Sequence, residues 1–122
     1  MKIAISAAET SGDLIASSLV KSLKSYKPDY EIEGLAGDKM TEVGCKRLWH
    51  ADQVNVMGIS EVVKKLPSVL RLRKSIIRHY SSDRPDIFIG VDSPDFNFKI
   101  ERELKQLGVK TIHLVSPSVW AW

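Results

Sequence analysis

A single cysteine, Cys45, occurs among the 122 residues, so no disulfide can form within the chain. The three histidines, His50, His79 and His113, are scattered, and no Cys/His spacing resembles a zinc site. No metal is therefore assigned. No apolar run approaches the ~18 residues of a membrane span. The apolar start, Ile3 to Ala8, is too short for a signal peptide and leads straight into Glu9. Cytosol is the default compartment on these absences. Internal repeats and low-complexity segments are also missing. Neither Gly-x-Gly-x-x-Gly nor a Walker loop is present, so dinucleotide and P-loop readings fail on spacing. One further absence is local: residues 64 to 78 carry Lys64, Lys65, Arg71, Arg73, Lys74 and Arg78 with no acid among them. Such a block suits an anionic surface, whether phospholipid, nucleic acid or a phosphorylated substrate, and equally a solvated helix face.

What remains is an ordinary globular composition, 43% hydrophobic and 27% charged, with a formal net charge of +3. The length fits one domain or part of one. A chain of this size buries roughly two-thirds of its unfolded surface. Lys2 to Ala8 reads as a first strand, and Leu14, Ile15, Leu19, Val20 and Leu23 then recur at helical spacing. Pro28 closes that helix. Tyr30 to Ala36 reads as a second strand, Gly37-Asp38 introduces a short helix ending at Gly44, and Arg47 to Trp49 forms a short strand. A broad apolar face from Val62 to Tyr80 is interrupted by Pro67, which predicts two helical pieces or a kink. Ile87 to Val91 is a buried strand, Asp95 to Leu107 a helix with Gly108 at its C-terminal cap, and Lys110 to Val115 the last strand. Strands alternating with helices predict an α/β fold, a Rossmann-like parallel sheet with helices on both faces. The ending at Val119, Trp120 and Trp122 leaves large apolar residues without a following helix, and predicts the front piece of a longer chain.

Two segments carry candidate chemistry. In an open α/β sheet, ligands bind beyond the carboxyl ends of the strands. The strand Ile87 to Val91 empties there into Asp92-Ser-Pro-Asp95. Asp92 is placed to accept a proton from an attacking hydroxyl, and the same position suits a structural aspartate. Asp95 suits a substrate contact or a cap of the following helix. The other segment, Glu9-Thr-Ser-Gly-Asp13, lies between the first strand and helix, where backbone N–H groups can hold an anion or polar ligand. Thr10 or Ser11 also suits a cap, with Asp13 favouring the helix dipole; Glu9 is harder to read as one.

Ala8-Glu-Thr-Ser-Gly-Asp13, Val56-Met-Gly-Ile-Ser-Glu-Val62, Ile89-Gly-Val-Asp-Ser-Pro-Asp-Phe-Asn97 and His113-Leu-Val-Ser-Pro-Ser-Val-Trp-Ala-Trp122 together resemble the lipid-A-disaccharide synthase family, in its order and from end to end. The resemblance implies the N-terminal, acceptor-side part of a glycosyltransferase-B fold, in which two Rossmann-like domains face a cleft. It implies an inverting transfer of diacylglucosamine from UDP-diacylglucosamine to the hydroxyl of diacylglucosamine 1-phosphate. The products are the lipid A disaccharide 1-phosphate and UDP, made at the cytoplasmic face of the Gram-negative inner membrane by a peripheral enzyme. By position in the motifs, Asp92 matches the family's proposed general base. Glu9, Thr10 and Ser11 match the first-loop site, and Val62, Val63, Leu66, Val69 and Leu70 match an apolar membrane-facing patch. No cofactor and no nucleic-acid partner are implied.

Two departures stand out. Ala8 replaces the family's usual Gly, which predicts crowding of the backbone approach. The family chain is also about three times as long, so the C-terminal UDP-sugar-binding domain is expected to be absent, the fragment inactive alone, and a second polypeptide a candidate to complete it. The rival readings are a non-catalytic module binding anionic lipid at a membrane surface, and another sugar-nucleotide enzyme of this fold, such as an epimerase.

Overall fold

The computed structural model describes residues 1–54 and 59–114, the side chains of 59–62 excepted. Its elements run β1 (Lys2–Ser6), α1 (Thr10–Tyr26), β2 (Glu31–Ala36), α2 (Asp38–Glu42), β3 (Lys46–His50), a 3-10 turn (Ala51–Gln53), α3 (Ile59–Ser82), β4 (Ile87–Gly90), α4 (Pro94–Gln106) and β5 (Lys110–His113). The five strands form one parallel sheet in the order β3-β2-β1-β4-β5. Strand order reverses between β1 and β4, which makes their carboxyl ends the topological switch point of a Rossmann-like sheet.

β1 shows why both faces are covered. Its successive side chains point to opposite sides. Ile3, Ile5 and Ala7 enter one core cluster with Ala16 and Val20 of α1 and Met40 of α2. Ala4 and Ala8 enter the other, with Leu72, Ile76 and Tyr80 of α3 and Ile100 and Leu104 of α4. A strand buried on both faces has no polar side to expose, so it reads as a near-continuous apolar run.

Sequence and structure differ in three places. The strand at 46–50 is longer than expected, with Lys46 and Arg47 exposed at the sheet edge. α3 is a single helix of 24 residues with Pro67 inside it, so of the two expectations, two pieces or a kink, the two pieces do not occur. Proline removes one N–H from a helix interior, while Leu72, Ile76 and Tyr80 beyond it anchor the same helix in the core. Asp95 does not cap α4: Ser93 is the N-cap, Pro94 opens the helix, and exposed Asp95 lies in its first turn. Gly108, at φ +92°, ends α4 as predicted. The apolar ending at Val119, Trp120 and Trp122 lies outside the described residues.

Candidate functional site

The switch point is closed by one carboxylate. Asp92, just past β4, accepts hydrogen bonds from the backbone N–H of Ala8 (2.8 Å, to Oδ1) and of Glu9 (2.7 Å, to Oδ2). It thereby ties the β4 exit to the β1–α1 turn across more than eighty residues of chain. Asp92 is only 3% exposed. Burial pushes its carboxyl above the ordinary 3.8; the two N–H bonds pull it back, the Glu9 charge adds to the rise, and His113 opposes it. A base must reach its hydroxyl. Each carboxylate oxygen offers two lone pairs, so two acceptor positions remain beside those already used.

Gly12 makes this closeness possible. A Cβ there would lie 1.8 Å from Asp92 Oδ2, so the first turn of α1 can rest against the carboxylate only as glycine. Asn97, fully buried on α4, donates from Nδ2 to the Asp92 carbonyl (2.6 Å) and the Ser6 carbonyl (3.3 Å), bracing the same corner from below. Ser93, next to Asp92, sits in the left-handed region at φ 39°, ψ 69°, ahead of Pro94. An L residue there is strained, which the surrounding bonds must hold in place. The crowding expected from Ala8 is not seen. Ala8 is wholly buried, packs with the α3/α4 core, and still bonds Asp92 through its N–H.

The first-loop residues divide. Glu9, the N-cap of α1, makes no side-chain cap bond; Thr10 and Ser11 follow as the first helical residues, which corrects their reading as caps. All three are exposed at the carboxyl end of the sheet. Asp13 is also corrected. Although it lies in the first turn of α1, its buried carboxylate accepts from the N–H groups of Gly37 (3.1 Å), Lys39 (2.9 Å) and Met40 (3.1 Å). It caps α2, a neighbouring helix, instead of serving its own.

Between these elements lies a cleft of about 210 Å³, lined among others by Glu9, Thr10, Asp38, Lys39, His50 and Asp52. That is smaller than the ~300–1,000 Å³ of pockets enclosing a drug-sized ligand. A polar ring or head group fits such a space; long acyl chains do not. Asp92 is not among its lining residues and communicates with it through Ala8 and Glu9. Asp95 stands apart, its carbonyl accepting from Arg73 of α3 (3.1 Å).

The expected apolar patch is partly formed. Val63, Leu66 and Leu70 are exposed on α3. Val69 is half-buried against the core, so it leaves the patch, and the Val62 side chain lies outside the described residues. Arg73 and Lys74 line a shallow cavity with Leu70 at the end of the stripe, and Arg71, Lys74 and Arg78 cluster further along α3. Among the described residues, no helix is long and apolar enough to cross a membrane, and no group of three or more His, Cys, Asp or Glu could hold a metal ion.

Sequence reasoning missed Gly12, Asn97 and the cross-chain role of Asp13. Asn97 carried a signal, standing five residues after Asp92 at the start of a helix; the others did not.

Sheet order and the carboxylate at the β1/β4 switch point define a Rossmann-like α/β domain, a fold whose ligands bind beyond the carboxyl ends of the strands. The chain belongs to the lipid-A-disaccharide synthetase family, whose model matches residues 3–122. It is similar to lipid-A-disaccharide synthases of Aeromonas hydrophila subsp. hydrophila, at 48% identity, and of Psychromonas ingrahamii, at 52%, each match covering all of this chain and 32% of the relative. The lipid-A-disaccharide synthase of Pseudoalteromonas translucida is 48% identical over the same shares. The chain thus spans about a third of the length of the curated relatives it matches.

Proposed function

We propose that this chain is the acceptor-side domain of an inverting glycosyltransferase of lipid A synthesis, with Asp92 as general base. The observation that supports it is the placement of Asp92, fixed at the switch point by two backbone N–H groups in a corner strained at Ser93. The acceptor is diacylglucosamine 1-phosphate, and its head group lies over the exposed first loop, Glu9, Thr10 and Ser11, beside the cleft that Glu9 and Thr10 line. Its hydroxyl oxygen attacks the anomeric carbon of UDP-diacylglucosamine, the bond to the UDP oxygen breaks, configuration inverts, and the hydroxyl proton passes to Asp92. A single base suffices because a nucleoside diphosphate leaves without protonation. The UDP-sugar site belongs to the part of the relatives that this chain does not match, in the same or a second polypeptide. Asp95 is retained only as a peripheral substrate contact, given its exposure.

In the full-length polypeptide, Asp92→Asn should lower turnover by about 10²–10⁴-fold; the amide oxygen keeps one of the two N–H bonds and its –NH2 faces the other N–H, so circular dichroism checks that the fold is retained. Near-normal turnover with an intact fold would contradict the assignment. Because burial raises the Asp92 carboxyl, the acid limb of the pH–rate profile should lie above its ordinary 3.8.

A second reading rests on the exposed Val63, Leu66 and Leu70, with Arg73 and Lys74 beside Leu70. This stripe is the membrane contact of a peripheral protein at the cytoplasmic face of the inner membrane, and it serves a non-catalytic lipid-binding module equally well.

A further inference from the structure

Beside Asp92 lies a second buried pair that the reaction above does not use. Register places Ser6 of β1, Gly90 of β4 and His113 of β5 in one row across the sheet. Gly90 leaves a gap in that row. A Cβ there would lie 2.3 Å from Glu101 Oε2, so the missing side chain is what lets Glu101 of α4 reach across the strand. Its Oε2 meets His113 Nδ1 at 2.8 Å, with both side chains largely buried. Phe98 packs edge-on to the imidazole, with ring centroids 4.6 Å apart, and holds its plane.

A carboxylate on Nδ1 selects the tautomer with the proton there, leaving a bare lone pair on Nε2. Among the described residues that nitrogen is buried and has no partner. Among the same residues Asp92 is a buried carboxylate whose hydrogen bonds come from backbone N–H groups, with Glu9 adding negative charge beside it. Burying an ionised carboxylate without a counter-charge is costly. Among the described residues, the charged groups acting on Asp92 are Glu9 from the β1–α1 turn and His113 from β5, the latter paired with Glu101 of α4, and of these three only His113 can carry positive charge.

We propose that His113 is a positioning residue for the proton transfer assigned to Asp92: Glu101 fixes its ring so that Nε2 is where a proton balances the charge on the Asp92 carboxylate. The pair thereby keeps Asp92 ionised, and able to accept a proton, inside a dry corner. This rests on the reading of Asp92 as the base, and the test separates the two.

The experiment is a ¹³C NMR titration of the Asp92 carboxyl in this chain, comparing the natural protein with His113→Asn. Asparagine keeps an N–H toward Glu101 but cannot take a proton. The Asp92 midpoint should rise by roughly half a pH unit or more, and His113→Gln should do the same. In the full-length polypeptide, the acid limb of kcat/KM should move up in step, with turnover recovering at higher pH. A purely structural role for His113 predicts an unmoved Asp92 midpoint and a uniform loss of turnover at every pH; either result overturns the proposal. If the midpoint moves but Asp92→Asn retains turnover, the base assignment fails while the charge coupling stands.

Discussion

Residue by residue, the corner at the β1/β4 switch point works by close approach. Asp92 bonds two N–H groups, Gly12 leaves room for its oxygen, and Asn97 holds the carbonyl behind it. Gly90 does for Glu101 what Gly12 does for Asp92. These contacts give a pH signature. Burial raises the Glu101 carboxyl above its ordinary 4.5, against the opposing pull of His113. Between 4.5 and that raised value the folded protein binds more protons than the unfolded chain, so this group's contribution to stability falls as pH rises. Glu101→Gln keeps an oxygen for the imidazole and removes the titration. Urea unfolding at a series of pH values should show the natural protein losing stability relative to Glu101→Gln as pH rises through this window. A constant difference between the two would count against a raised Glu101.

At the scale of elements, the short helix α2 depends on a residue from α1. Its five residues cannot stabilise themselves, and three of its N-terminal N–H groups end on Asp13. Hydrogen bonds to a charged acceptor contribute about 1.5–3 kcal/mol each in favourable cases. Asp13→Ala should therefore cost at least about 2 kcal/mol in denaturant unfolding, with Asp13→Asn intermediate; a loss below half that would show that α2 holds itself. α3 carries the other element-level prediction. Replacing Val63, Leu66 and Leu70 together by Ser should weaken co-sedimentation with anionic vesicles several-fold and leave the melting temperature nearly unchanged, since all three are exposed. Undiminished sedimentation would remove the stripe as a membrane contact. Val69→Ser should instead destabilise the fold, because that side chain packs on the core.

Over the whole molecule, the parallel sheet was legible because each buried strand is a short apolar run followed by helical spacing, as in Ile87 to Gly90 ahead of α4. The place of the candidate residues in the fold was legible too, since Asp92 and Glu9 each stand just beyond a strand. What stayed hidden was contact across long stretches of chain. Asp13 to Gly37, Tyr80 to Glu33 and Glu101 to His113 join residues whose local spacing carries no trace of the pairing. Pro67 left two pieces or a kink open, and one helix runs through it because core contacts further along the same element anchor it. Asp92 showed its position in the sequence but not its clamp, because Gly12 reads locally as an ordinary turn glycine.

If this domain holds the acceptor, ligand binding must be visible at the first loop. Titrating the ¹⁵N-labelled chain with a micelle-dispersed diacylglucosamine 1-phosphate, and separately with UDP, tests it most directly by backbone NMR. The acceptor should shift the amides of Ala8, Glu9, Thr10 and Asp92, while UDP leaves them in place. Shifts at those amides with UDP and none with the acceptor would contradict it.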